Sequence, residues 1–192
     1  ALMTYVIAIA NQKGGVGKTT TAINLGASLA VAEKRTLILD IDPQGNATSG
    51  LGIQQGQGHP SVYDVLVGQA RLADAIHQGV HLEHLDVAAS TRDLVGAEIE
   101  LVSAASRETI LRRAVETVKD RYDFILVDCP PSLGLLTLNT LTASDSVLIP
   151  IQCEFFALEG LSQLLSTIRL VQRGLNPELD VEGVLLTMYD KR

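Results

Sequence analysis

The 192-residue chain contains no tryptophan, and aromatic residues make up only 4% of it. It has two cysteines, Cys129 and Cys153, so a disulfide-rich secreted scaffold is excluded and we expect two reduced thiols. Its apolar runs are only as long as strands, which predicts no membrane-spanning helix. We also expect no secretory signal, because the apolar start leads straight into a glycine-rich loop.

Basic residues are also scarce. Lysine and arginine number 15 against 22 acidic residues, which gives a net charge of −7. Such a chain is not a general binder of polyanions, so any contact with nucleic acid would need a local basic patch. Hydrophobic residues make up 46% of the chain, which is enough for a sizeable core in one domain over residues 1–192.

The order of apolar runs and helical patterns predicts the fold class. Strand-length runs at 5–10 and 36–40 flank a helical pattern at 19–32, which is a βαβ unit. This alternation continues and predicts an α/β domain, with a mainly parallel twisted sheet and helices on both faces. Further helices are predicted at 61–67, 72–77, 106–121, 133–142 and 155–174, further strands at 85–88, 124–128, 146–150 and 181–188, and a loop at 43–60.

A glycine-rich loop joins the first strand to the first helix. Glycines let backbone N–H groups turn around a phosphate, and the helix adds the partial positive charge of its N-terminus. Lys18 could reach the β- and γ-phosphates of a nucleotide, and Thr19 could place its hydroxyl on Mg²⁺. The usual phosphate-loop spacing would have glycine where this chain has Gln12. The predicted nucleotide-binding residues are Lys13, Gly14, Gly15, Val16, Gly17, Lys18, Thr19 and Thr20.

Three carboxylates follow apolar strands and are expected beside this loop, at the carboxyl edge of the sheet. Asp40 ends one strand, Asp42 lies two residues further on, and Asp128 ends another strand. A carboxylate near a γ-phosphate can orient or deprotonate the attacking water, and others can hold Mg²⁺ or its water. The combination of loop and acids predicts ATP hydrolysis.

Other polar clusters favour plainer interpretations. His77, His81 and His84 have ligand-like spacing, but solvated loop histidines are the better interpretation. Basic side chains in the helix predicted at 106–121 are interleaved with acids, which is typical of a solvated face. These basic residues are Arg107, Arg112, Arg113, Lys119 and Arg121.

The loop resembles the deviant Walker A pattern K-G-G-x-G-K-[ST], and much of the chain is similar to the ParA/Soj-type partition ATPases. That resemblance implies a P-loop NTPase fold with ATP and Mg²⁺ as cofactors. It implies that Lys13 acts across a homodimer interface on the partner's nucleotide, and that Asp42 positions the attacking water. Thr19, Asp40 and Asp128 are implied to form or support the metal shell.

Members of that family are cytoplasmic and nucleoid-associated. The resemblance implies an ATP-dependent dimer that binds DNA non-specifically, with no membrane contact, and a ParB/Spo0J-type partner in plasmid or chromosome segregation. Because family members continue for longer, we expect that a C-terminal portion is lacking. The implied DNA contacts are a small basic patch of Arg169, Arg173, Lys191 and Arg192.

Two other classes of relative remain as alternatives. A MinD-like membrane-cycling ATPase would need a C-terminal amphipathic helix, which is not seen. An iron–sulfur relative would need bridging cysteines and a C-x-x-C pair, which the sequence lacks. The segment from Asp42 through Pro43-Gln44-Gly45 to Asn46 favours the partition class.

Overall fold

The computed structural model describes residues 3–54, 58–153 and 157–189, and seven strands there form one sheet. The strands are β1 Tyr5–Ile9, β2 Thr36–Asp40, β3 Ile76–His77, β4 Leu85–Ala88, β5 Phe124–Asp128, β6 Ser146–Gln152 and β7 Asp180–Thr187. Their order is β3-β4-β2-β5-β1-β6-β7, and every neighbouring pair is parallel except β3 and β4. The predicted mainly parallel α/β fold is confirmed.

Helices cover both faces of the sheet because the central strands are apolar on both faces. On one face Ile7 and Ile9 pack with Ala22 of the first helix. On the other face Leu37 packs among the middle helices, and Ala8 packs with the last one. The helices are α1 Lys18–Val31, α2 Asn46–Gly50, α3 Val62–Leu66, α4 Leu94–Glu100, α5 Ile110–Glu116, α6 Leu135–Ala143 and α7 Ala157–Gly174.

Several predicted elements differ from the observed ones. The single helix predicted at 106–121 is a 3₁₀ turn, then α5, then a second 3₁₀ turn at Lys119–Arg121. The chain must become extended there because Asp123 already pairs with the backbone of Tyr5 and Arg35, so the helical segment ends in a tight turn. The helical segment predicted at 72–77 is a 3₁₀ helix over Leu72–Ala75 only, and Ile76–His77 form β3 instead.

The register of the strands places two of the predicted acids next to each other. Asp128 pairs with Ile9 on one side and with Asp40 on the other. The glycine loop begins just beyond Ile9, so the loop and the acids lie at the same carboxyl edge of the sheet. Within the described ranges, no helix combines the length and the apolar character needed to cross a membrane.

Candidate nucleotide-binding site

A cavity of about 290 Å³ opens at this edge of the sheet. The glycine loop forms one wall, and Asp42 and Pro131 lie on the others. Met188, just past the end of β7, completes the lining. The structure therefore brings together four segments that are far apart in sequence, of which the sequence predicted the glycine loop and Asp42 for one site.

The glycine loop has a backbone that only glycine adopts easily. Gly15 and Gly17 have φ angles of 73° and 90°, in the left-handed region. An added Cβ at Gly14 or Gly15 would meet nothing within 4 Å, so the loop faces open space on that side. No acidic residue of the helix itself occupies the first turn of α1, so the positive end of its dipole is not compensated from within the helix. The arrangement suits a phosphate.

Lys18 is the first residue of α1, and its side chain lies against the loop. The residue is only 7% exposed, and its Nζ donates to the carbonyl oxygen of Lys13 at 2.9 Å. Burial lowers the pKa of this ammonium, while the nearby Asp128 carboxylate acts in the opposite direction. A buried cation that is held by a single carbonyl is well suited to an anionic ligand.

Thr19 and Asp128 form the most informative pair in the site. The Thr19 hydroxyl donates to Asp128 Oδ2 at 2.7 Å. The other oxygen, Asp128 Oδ1, is buried and has no hydrogen-bond partner among the described residues. Burial, and then the charges of Asp40 and Asp42, raise the pKa of Asp128 to about 7. An orphaned carboxylate oxygen next to a hydroxyl fits Mg²⁺, which proteins hold through one or two carboxylates together with phosphate oxygens.

Asp40 is fully buried, and its carboxylate is bonded to the loop that follows it. Oδ2 accepts the hydroxyl and the N–H of Thr48 at 2.7 and 2.8 Å, and Oδ1 accepts the Asp42 N–H at 3.1 Å. Burial raises the pKa of Asp40 to about 6, although these bonds act against the rise. Asp40 therefore lies next to Asp128 but is engaged with the chain around Asp42.

Asp42 begins the loop and is 6% exposed at the cavity wall. Its Oδ1 accepts the Gln44 N–H at 2.9 Å, which fixes the side chain against its own backbone. The loop then turns through Gly45, with a φ angle of 62°, into α2. The sequence predicted only a loop here.

The other conspicuous lysine lies elsewhere. Lys13 lines a neighbouring cavity of about 520 Å³, together with Glu159 and Gln163 of α7. Its backbone N–H donates to Asn11 Oδ1 at 3.0 Å, and Asn11 Nδ2 donates to the carbonyl oxygen of Pro150 at 2.8 Å. The two lysines of the loop therefore face two different cavities.

The remaining predicted residues are dispersed. Arg169 and Arg173 are exposed on α7, whereas Lys191 and Arg192 lie outside the described residues. Arg112 departs from the predicted solvated face, because its guanidinium donates to the carbonyl oxygens of Thr142 and Leu175.

The histidines and cysteines form no site among the described residues. His77 stacks on His59 with ring centroids 4.0 Å apart, and His81 contacts the Leu51 carbonyl oxygen. No group of three metal-ligating side chains of the His, Cys, Asp or Glu type is found in the described part of the chain. Cys129 and Cys153 are free thiols, as predicted, and burial raises the pKa of Cys129 to about 12.

Four further residues support the site, and sequence reasoning assigned none of them a role. They are Asn11, Thr48, Ser90 and Thr187. The Thr187 hydroxyl donates to the Val16 carbonyl oxygen at 2.8 Å. Only Asn11 and Thr48 lie within or beside a recognised motif, and nothing local marks Ser90 or Thr187.

Comparison with known proteins gives consistent results. A family described as an AAA domain matches residues 4–181. The chain is 63% identical over 190 residues to the sporulation initiation inhibitor protein Soj of Bacillus subtilis, covering 99% of this chain and 75% of Soj. It is 59% identical over 187 residues to the chromosome partitioning protein ParA of Myxococcus xanthus, covering 97% of this chain and 66% of ParA.

Solved structures agree with the comparison of sequences. A protein named cobyrinic acid a,c-diamide synthase from Mycobacterium smegmatis, with bound ADP and magnesium, superposes with a TM-score of 0.93 at 44% identity. That match covers 99% of this chain and 77% of the other. A plasmid partition protein from Borrelia burgdorferi superposes with a TM-score of 0.87 at 27% identity, covering 99% and 81%.

Proposed function

Because this chain belongs to the ParA/Soj-type partition ATPases, we propose that it binds ATP with Mg²⁺ and hydrolyses it to ADP and phosphate during plasmid or chromosome segregation. The observation that carries the proposal is the buried, half-unpaired Asp128 carboxylate bonded to Thr19 at the first turn of α1. The relative from Myxococcus xanthus, at 59% identity, is named a chromosome partitioning protein, which favours segregation over the amide-forming reaction that the name of the mycobacterial protein, at 44% identity, implies.

The residues of this chain then have distinct tasks. The ammonium of Lys18 leaves the Lys13 carbonyl and binds the β- and γ-phosphates, while the N–H groups of the loop and the N-terminus of α1 hold the phosphate oxygens. Thr19 and Asp128 hold Mg²⁺, which neutralises charge on the phosphates when bound. Asp40 supports that shell through its bonds to Thr48 and Asp42.

Asp42 is the residue to which we assign the attacking water. One of its carboxylate oxygens is held by the Gln44 N–H, so the other can accept a proton or a hydrogen bond from water next to the γ-phosphate. The loop and Asp42 line the same cavity, which is the geometry that this role needs.

The direct test uses ATP, ADP and magnesium with the purified chain. Calorimetry should show binding of ATP that strengthens with magnesium, and a phosphate-release assay should show turnover. A well-folded sample that gives no heat with nucleotide would overturn the proposal.

We further propose that ATP drives formation of a homodimer in which Lys13 reaches the partner's nucleotide. The separate cavity that Lys13 lines supports a role away from its own phosphate site. Charge supplied across such an interface can be worth roughly 10³–10⁵ in rate. Lys13→Ala should therefore lose most of its turnover while still binding ATP, whereas Lys34→Ala, which removes an exposed lysine, should not.

Sedimentation velocity with ADP and with ATP, beside phosphate release, checks this prediction. A Lys13→Ala protein that dimerises and turns over like the unmodified chain excludes the role in trans.

The proposed dimer binds DNA without sequence preference on the nucleoid, in the cytoplasm, and a ParB/Spo0J-type partner stimulates its hydrolysis. The exposed Arg169 and Arg173, one turn apart on α7, supply candidate contacts in an otherwise acidic chain. DNA binding measured over a salt series should be ATP-dependent and should weaken in the Arg169→Ala/Arg173→Ala double variant. Liposome pelleting with ATP and indifference to DNA would instead favour the MinD-like alternative.

A further inference from the structure

Ser90 lies two residues past the end of β4 and is fully buried, yet it contacts the loop that carries Asp42. Its hydroxyl donates to the carbonyl oxygen of Asp42. Its N–H donates to the Thr48 hydroxyl oxygen at 2.9 Å, and that hydroxyl in turn donates to Asp40 at 2.7 Å. One serine thus joins both ends of the segment between Asp42 and Thr48.

The sheet explains how Ser90 reaches this place. β4 is the parallel neighbour of β2, and Ala88 pairs with Leu39. Chains that leave two parallel strands at the same edge run side by side, so the residues just beyond β2 meet the residues just beyond β4. Asp42 and Ser90 are 48 positions apart in sequence and are brought together by this register alone.

The bonds fix the peptide groups on both sides of the Asp42 side chain. Asp40 accepts the N–H of Asp42, and Ser90 donates to its carbonyl oxygen. With both peptide groups held and Oδ1 bonded to the Gln44 N–H, little freedom remains in the direction of the carboxylate.

We propose that Ser90 is a positioning residue for ATP hydrolysis, whose hydroxyl holds the Asp42 peptide so that the carboxylate stays directed at the water to be activated. The inference rests on the proposed function, because it gives Ser90 a task only if Asp42 serves turnover. Ser90 is fully buried and is not among the residues that line the cavity of the glycine loop.

The geometry favours a positioning role for the Ser90 hydroxyl over a purely structural one. The Asp42 carbonyl oxygen also accepts the Gly45 N–H at 2.8 Å, so it keeps a hydrogen bond when the serine hydroxyl is removed. Ser90→Ala leaves no buried acceptor unsatisfied at Asp42 and keeps the Ser90 N–H bond to Thr48. The Ser90 hydroxyl therefore serves mainly to orient the Asp42 peptide group, since the Asp42 carbonyl oxygen has another hydrogen bond without it.

The test begins with Ser90→Ala. Single-turnover hydrolysis at saturating ATP should fall roughly three- to tenfold, the equivalent of one net hydrogen bond. ATP affinity by calorimetry should stay within about twofold, because no group that binds phosphate is touched. Ser90→Cys, which keeps a weaker donor at nearly the same position, should give an intermediate rate and covers the case in which the alanine variant unfolds.

The matched control is Ser144→Ala. Ser144 is also buried, and its hydroxyl also donates to a backbone carbonyl oxygen, that of Thr140 at 2.7 Å, but at the far end of α6. Its hydrolysis rate should equal that of the unmodified chain. Thermal denaturation of each variant checks the folded fraction.

A double-mutant cycle with Asp42→Asn separates positioning from stability. If Ser90 acts through Asp42, Ser90→Ala should have no further effect on the residual rate of Asp42→Asn. Equal losses in both backgrounds, or an unchanged rate for Ser90→Ala, overturn the inference. An unmodified chain that binds or hydrolyses no ATP would overturn the proposed function instead, so the two failures are distinguishable.

Discussion

The glycine loop and the loop that carries Asp42 lie at the same edge of the sheet, but they are held in place by different means. The glycine loop depends on local features, namely two glycines with positive φ and the helix that follows at once. The loop at Asp42 depends on buried side chains outside its own turn, namely Asp40 and Thr48 nearby in sequence and Ser90, which lies 48 positions from Asp42. The glycine loop is fixed mainly by its own residues, and the loop at Asp42 mainly by side chains that lie outside it.

This difference corresponds to a difference in task. A phosphate is gripped by several backbone N–H groups and a cation, so the loss of a single support elsewhere should be tolerated. Activation of a water depends on the direction of one carboxylate, and small displacements there are costly. Apart from Lys13, whose proposed task is at the partner's nucleotide, we therefore expect changes at the glycine loop to affect ATP affinity, and changes around Asp42 to affect turnover.

Among the changes that compare these two loops, Asp42→Asn should produce the largest effect, and it gives the sharpest test of this division. Removing a general base or water-positioning group typically lowers a rate by about 10²–10⁴. Phosphate release should fall by that amount while ATP affinity stays within about threefold. Asp93→Asn, which changes an exposed acid, is the control. Turnover at the normal rate in Asp42→Asn would show that the loop that carries Asp42 has no catalytic task.

Lys18→Met, a change at the glycine loop, should produce the next largest effect, and the effect should be on ATP affinity. Removing a charged donor from a phosphate should weaken ATP binding by about 2–3 kcal/mol, on the order of 30- to 150-fold. Calorimetry measures this, with Lys34→Met as a control that changes an exposed lysine. ATP affinity that is unchanged in Lys18→Met would contradict the assignment of the phosphate site.

The buried acids between the two loops should make stability depend on pH. The pKa values of Asp40 and Asp128 are raised to about 6 and about 7 from 3.8, so the folded chain binds protons more tightly than the unfolded chain. Their contribution is complete below the unfolded value and is lost as pH rises through the folded value. Without nucleotide and magnesium, the free energy of unfolding should therefore fall between pH 4 and 8, by several kcal/mol from these two groups together.

Urea unfolding across that range, for the unmodified chain and for Asp128→Asn, isolates the contribution of Asp128. The variant should show a smaller fall. An equal fall of the free energy of unfolding in both proteins would mean that folding does not raise the pKa of Asp128.

Thr187→Val should give the smallest effect. The Thr187 hydroxyl donates to the Val16 carbonyl oxygen, and the Gly17 N–H on the same trans peptide therefore points away from Thr187. Because the other N–H groups remain, ATP affinity should weaken only about three- to tenfold. Thr167→Val is the matched control, since that hydroxyl also donates to a carbonyl oxygen but lies on α7. A loss of affinity as large as that of Lys18→Met would show that the glycine loop also depends strongly on a side chain from a distant strand.

The sequence by itself determined the glycine loop, the strand that precedes it and the helix that follows it. Apolar strand, glycines, lysine and helix follow each other without interruption, so the conformation of each residue is set by its immediate neighbours. The strand-end acids were predictable for the same reason, because an apolar run that ends in Asp128 marks a strand and its edge. The mainly parallel sheet followed from the alternation of these patterns.

Only the tertiary structure decided which residues support those motifs. Ser90 and Thr187 reach the site through the register of β4 beside β2 and the position of β7 beside β6, and no local pattern encodes strand order. The short helix α2 formed where only a loop was predicted, because its residue Thr48 is anchored by Asp40. Local sequence sets backbone conformation, whereas contacts between distant segments depend on which strands lie next to each other, and that is settled by the packing of the whole sheet.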